Sequence, residues 1–290
     1  MQLTRTFGVF PVSILAAVVA IALWATAPLL AEQARSASPL SLTTLTLLAG
    51  ALATLPLGKS QGQKITHLGW RFSLWLGVPL LILGAVSSYF IGMRQAPASE
   101  AALITYTWPV LFVLLSQWTQ LGRIRLRSLS GAMIAFAGAA LLMLPEQSVA
   151  FNDASLNGYG FAFLAACCWA LYSWVGQASP ITLTPYLPRL LLIASLLSAL
   201  ATLALEGRLS VPSDSALWAG IALGLGPFGI AMVAWDKALR GGPSATIGSL
   251  AYGVPILAAA LLVVTGATPL NWQLPLAGLL VLTGCLQASR

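Results

Sequence analysis

The stretch Glu100-Ala-Ala-Leu-Ile-Thr-Tyr-Thr-Trp-Pro-Val-Leu111 continues without a further charge to Leu115. It sets Tyr106, Trp108 and Pro109 in the middle of an apolar run. The pattern returns later in the chain. Arg94-Gln-Ala-Pro97 returns as Arg240-Gly-Gly-Pro243, Tyr106-x-x-Pro109 as Tyr252-x-x-Pro255, and Gly138 as Gly284, all at an offset of 146. Five residues obeying one offset mark an internal repeat, and that offset is about half of a 290-residue chain. The sequence therefore reads as two copies of one unit, residues 1–145 and 146–290, in a single integrated transmembrane domain.

Composition sets the class. Hydrophobic residues make up 58% of the chain and charged residues 7%, against roughly a quarter charged in soluble domains. The mean hydropathy is +0.88. A membrane span needs about 20 apolar residues. Ten such spans can be drawn, at roughly 9–30, 39–58, 71–93, 99–120, 127–145, 158–178, 184–205, 214–236, 243–265 and 271–288. The apolar runs are continuous rather than alternating, which argues against a β-barrel. The expected fold is an all-α integral membrane protein of ten transmembrane helices. The longest loops, near 59–70 and 146–157, hold about a dozen residues. The first span resembles a signal peptide with Ala25-x-Ala27 as a cleavage site, but nine further spans follow it, and a retained helix is the expectation.

Basic residues orient the chain. With the N-terminus inside, the inner loops hold Arg5, Lys59, Lys64, Arg71, Arg123, Arg125, Arg127, Lys237, Arg240 and Arg290. The outer loops hold Arg35, Arg94 and Arg208, together with Glu32, Glu100, Glu146, Asp153, Glu206 and Asp214. Arg189 can snorkel to the inner face. The net charge of +7 is then a topology signal rather than a nucleic-acid footprint. Both termini are expected in the cytoplasm of a bacterium, with the chain in its inner membrane. Each half holds an odd number of spans, so the second half starts on the opposite side and the repeat is inverted. Inverted repeats characterise secondary transporters whose substrate site lies near the midplane.

Prolines fall where such a site needs broken helices. Pro109 lacks an N–H and should free the carbonyl of Thr105; Pro255 should free that of Ala251. Pro97 and Pro243 suit the first turns of the fourth and ninth spans. Pro79 interrupts the third span and Pro227 the eighth. These four, Pro79, Pro109, Pro227 and Pro255, are the candidate hinge residues. Gly224-Leu-Gly226-Pro-Phe-Gly229 matches a dinucleotide fingerprint, but it lies inside an apolar span with no strand before it, and close helix packing explains it better.

The aromatic residues divide in two. Trp70, Trp75, Trp118, Trp218 and Trp272 lie near span ends, as an interfacial belt does. Trp24, Trp108 and Trp169 lie deeper, and Trp24 and Trp169 occupy equivalent places in spans one and six. Tyr106, Tyr172 and Tyr252 are central, and Tyr89 is in the outer third of its span. A buried phenol or indole seeks a hydrogen-bond partner, so any one of these residues could be a packing residue. Together they suggest a cavity with flat apolar walls and a few donors, shaped by Tyr106, Trp108, Trp169 and Tyr172, with Trp24, Tyr89 and Tyr252 at its periphery.

No span centre carries Asp, Glu or Lys. Glu100, near the outer end of the fourth span, and Asp236, near the inner end of the eighth, are the nearest candidates for coupling to protons, and a solvated helix end is the simpler reading of both. No catalytic cluster, metal-ligand cluster or nucleotide motif is present, so neither an enzyme nor a cofactor is expected. Cys167, Cys168 and Cys285 read as small packing residues.

The Tyr106-x-Trp108-Pro109 span with its Tyr252-x-x-Pro255 echo, Trp169-Ala-x-Tyr172, and Ala234-Trp235 resemble the drug/metabolite transporter superfamily of EamA type across essentially the whole chain. The resemblance implies export of aromatic and other bulky neutral amino acids, with tolerance for cationic drugs. A monomer in contact with lipid is expected.

Overall fold

The computed structural model describes residues 3–59, 67–143, 155–210, 212–264 and 271–289. Lys64, Glu146, Asp153, Arg290 and most of both long loops lie outside the described residues. Among the described residues the chain is helical and no strand occurs.

Among the described residues nine helical segments are long and apolar enough to cross a membrane. In chain order they are α1 (Val12–Gln33, whose helix begins at Leu3), α2 (Pro39–Gly58), α3 (Leu68–Gln95), α4 (Ala98–Leu121), α5 (Leu126–Met143), α6 (Leu156–Ala178), α7 (Thr184–Glu206), α8 (Asp214–Gly241) and α9 (Ser244–Leu261). The apolar helix Gln273–Ser289, α10, is shorter, at 17 residues. Leu196, Leu200, Trp118, Trp218 and Trp272 stay exposed, the surface expected where lipid takes the place of water. Trp75 is exposed too, and also packs edge-on to Tyr186.

Five helices are interrupted, each for a local reason. α1 breaks at Ala25 and Thr26, just before Pro28. α4 breaks at Tyr106 and Thr107, before Pro109. α9 breaks at Ala251 and Tyr252, before Pro255. A proline cannot donate back to the preceding turn, so the chain re-enters the helix there. α3 and α8 instead widen into single π-helical turns, at Ser73–Gly77 just ahead of Pro79 and at Gly226–Ile230 around Pro227. Pro97 and Pro243 cap their helices from one residue outside rather than occupying the first turn.

The freed-carbonyl expectation needs one correction. The carbonyl of Ala251 accepts the N–H of Val254 at 3.1 Å, because the chain tightens into a short turn at the break. It is not left open for a ligand.

Packing follows a regular scheme. α5 lies against α10 and α2 against α7; α3 packs on α6 and α1 on α8; α2 also packs on α8 and α3 on α7; α4 meets α9. The α2–α8 contact explains the glycine-rich run. A Cβ on Gly224 would stand 2.3 Å from the carbonyl oxygen of Thr46 and 2.5 Å from Ala49 Cβ. Those backbones meet only because the side chain is missing. The run is a packing surface inside a helix, and the dinucleotide match has no part in it.

Candidate functional site: an aromatic cavity between the broken helices

The interruptions in α1, α4, α8 and α9 surround a cavity of about 620 Å³, its open mouth included. Its lining takes Trp24, Ala27 and Pro28 from α1, Tyr89 from α3, Thr105, Tyr106 and Trp108 from α4, and Trp169 and Ser173 from α6. α8 adds Phe228 and α9 adds Val254. No charged side chain is among these lining residues.

The rings are held against one another. Trp24 is the hub: its ring centroid lies 6.2 Å from Trp108, 6.4 Å from Trp169 and 5.1 Å from Trp235. Its indole N–H donates to the carbonyl of Pro227 at 2.9 Å. The π-helical turn thus presents a carbonyl from α8, and α1 satisfies it across the site. Trp108 meets Trp235 edge-on at 5.5 Å. Trp235 is fully buried and donates its N–H to Ser173 Oγ at 3.1 Å. Trp169 stacks on Phe228 at 6.1 Å with the planes only 16° apart. Edge-to-face and offset contacts of this kind fix ring orientation as well as burying area. The Thr105 hydroxyl is spent on the carbonyls of Ala101 and Ala162, at 2.9 and 3.3 Å. The polar character of the lining therefore comes mainly from the phenols of Tyr89 and Tyr106.

Five of the seven aromatics singled out from the sequence line the cavity: Trp24, Tyr89, Tyr106, Trp108 and Trp169. Trp24 is central rather than peripheral. Tyr172 is fully packed, edge-on to Trp169 at 5.7 Å, and is not in the lining. Tyr252 belongs to a separate apolar cluster and packs on Phe136 at 5.9 Å. Of the candidate hinge prolines none is in the lining; Pro28, which sequence reasoning passed over, is. Phe228, Trp235 and Ser173 were also missed as parts of the site.

Glu100 differs from its expected environment. It is buried, at 9% exposure, and its carboxylate accepts a hydrogen bond from the Tyr159 hydroxyl of α6. The reason is the close approach of α4 to α6 at this level, which covers the helix end that the sequence left solvated. Glu100 does not reach the aromatic cavity.

A second, more polar cavity of about 770 Å³ shares Pro28 with the first. Glu32, Arg35, Phe90 and Arg94 border it. At the far end of the fold, a third cavity lies between α1 and α8, beside Asp236, Lys237 and Arg240, and shares no lining residue with the aromatic one. The aromatic cavity thus adjoins the polar one at Pro28 and has no lining residue in common with the third.

The sequence pattern of the EamA-like transporter family matches this chain twice, over residues 11–144 and 156–290. The chain belongs to the EamA-like transporter family. It is 31% identical over 272 residues to the aromatic amino acid exporter YddG of Ancylobacter novellus, covering 93% of this chain and 94% of that one. It is 28% identical over 246 residues to an uncharacterized protein of Pseudomonas aeruginosa, covering 84% and 82% of the two chains. A solved structure titled only as a crystal structure of a protein superposes with a TM-score of 0.81 at 30% identity, covering 95% of this chain and 97% of the other. A multi-pass membrane transporter, with no enzyme activity implied, is what these likenesses carry.

Proposed function

We propose that this EamA-like transporter is a secondary exporter of aromatic and other bulky apolar amino acids, working by alternating access across a bacterial inner membrane. The observation that carries the reading is the cavity of Trp24, Trp108, Trp169, Phe228, Tyr89 and Tyr106, walled by rings and free of charge in its lining. Such a wall rewards a planar apolar side chain by stacking and burial. The name of the relative from Ancylobacter novellus supports the substrate class. Planar cations are the competing substrates on cation–π grounds, but no carboxylate borders the cavity to balance their charge.

Ten spans in two inverted halves, residues 1–145 and 146–290, complete the proposal. Exchanging the first five helices for the second five turns the α3–α6 contact into α8–α1, turns α2–α8 into α7–α3, and leaves α5–α10, α2–α7 and α4–α9 unchanged. The double match of the family pattern supports the same division. Basic loops put both termini inside. Reporter fusions should place residue 125 and the C-terminus in the cytoplasm and residue 150 outside; an external C-terminus removes the ten-span arrangement.

The function is tested by purified protein in liposomes offered a panel of amino acids and planar cations. Saturable uptake of aromatic amino acids with counterflow is expected. Uptake that rises linearly with concentration without counterflow points to a channel, and uptake of the cations alone replaces the amino-acid reading by a drug exporter.

A further inference from the structure

Two arginines at the repeat offset hold corresponding places. Arg94 lies in the last turn of α3, and Arg240 in the last turn of α8. Each reaches back to the connection between the first and second helix of its own half. Arg94 donates to the carbonyl of Ala37, between α1 and α2. Arg240 donates to the carbonyl of Ile181, between α6 and α7.

The two grips are unequal. Arg240 also donates to the carbonyl of Gly176 at 3.1 Å and to that of Ser179 at 3.4 Å, and its Nε meets Asp236 at 3.4 Å. Asp236 is 2% exposed and accepts both the backbone N–H and the hydroxyl of Thr184, at 3.0 and 2.6 Å, where α7 begins. The knot thus joins α6, α7 and α8. Counting back by the offset from Asp236 gives Phe90, so α3 has no carboxylate at that place to complete a matching knot. Arg94 instead borders the polar cavity that shares Pro28 with the aromatic site.

We propose that Arg240, Asp236 and Thr184 are the clasp that shuts one end of the transport path, and that Arg94 is its weaker counterpart at the other, so that the resting chain opens on the Arg94 side. This rests on the alternating-access reading. A planar guanidinium with five donors can hold several carbonyls at once, and partly buried charged bonds are costly to leave unmade. For the aromatic cavity to face the other way, the α6–α7 connection must leave Arg240, and the α1–α2 connection must close on α3, where Arg94 already touches it. An equilibrium between two such states follows the difference in the bonds each one makes.

The test needs no substrate. Ala31 borders the polar cavity, and Ala31→Cys, in a chain whose native cysteines are replaced by alanine, puts a reporter thiol there. Its rate of modification by a hydrophilic maleimide in nanodiscs reads how open that end is. Arg240→Ala is expected to slow modification about fivefold or more, the lower end of ordinary coupling between distant sites. Thr184→Val should slow it less, in the same direction. Arg94→Ala should leave the rate unchanged or raise it. Arg240→Lys should not restore the parent rate, because a point charge cannot span the separate acceptors; full rescue by lysine overturns the clasp geometry. Parent-like rates in both Arg240→Ala and Thr184→Val overturn the proposal, and Thr184→Val decides alone if Arg240→Ala fails to fold. Slowed modification together with a failed amino-acid panel removes the substrate reading and keeps the clasp.

Discussion

Trp108→Ala is expected to collapse uptake of aromatic amino acids at limited substrate while the protein still inserts and purifies. Trp108 faces the cavity and is only 7% exposed, packed against both Trp24 and Trp235. Removing its indole takes away about 2–4 kcal/mol of aromatic contact. In affinity that is roughly thirtyfold to several hundredfold. The same change opens a gap beneath Trp24, whose bond to the Pro227 carbonyl sets the spacing of α1 and α8. Both effects fall on the bound state, so KM should rise and the rate at limited substrate should collapse. Initial rates in liposomes measure this, with Trp272→Ala as the comparison. Trp272 is 67% exposed and not in the cavity lining, so its loss should change uptake little. Equal losses in the two variants, with lowered thermal stability in both, would assign the Trp108 effect to folding.

The parts of this site that sequence reasoning reached, and those it missed, divide along one physical line. The repeat offset and the prolines concern backbone, and they located the breaks at Tyr106 and Tyr252 well. Which side chain faces the cavity depends on helix phase. Tyr172 and Ser173 follow Trp169 by three and four residues, and at about 100° per residue they fall on opposite sides of its direction. The serine enters the cavity while the tyrosine packs behind it. Tyr252 shares its central depth with Tyr106, but depth does not set which way a ring faces, and Tyr252 packs on Phe136 in a separate cluster. Val254, two residues on, supplies α9's part of the lining. Phe228 was out of reach for another reason. The π-helical turn at Gly226–Ile230 inserts an extra residue and shifts the phase of everything after it. A Pro-Phe pair inside a glycine-rich span was the available signal, and it was read as close packing, which accounts for Gly224 but not for Phe228.

Glu100→Gln should retain full uptake in liposomes without a pH gradient, and a pH gradient should not concentrate substrate even in the unaltered protein. The first expectation comes from what Glu100 touches. Its carboxylate accepts from Tyr159 and lies in the first turn of the helix Ala98–Thr105. A glutamine oxygen accepts the same bond, and a helix N-terminus favours but does not require a negative charge. Glu100 therefore ties α4 to α6 and stands outside the aromatic cavity. The second expectation follows from the cavity itself. Coupling requires that a proton and the substrate bias the same two states. A lining without a carboxylate gives the proton no place beside the substrate. The amino acid is then the ligand that shifts the equilibrium, and transport runs down its own gradient or in exchange. Burial makes the carboxylate a more serious competitor than a solvated helix end, because a buried acid is where membrane proteins place a transferable proton. The measurement separates the two cleanly. Uphill accumulation driven by an imposed pH difference, lost in Glu100→Gln while downhill exchange survives, would make Glu100 the proton site and the Tyr159 bond its gate.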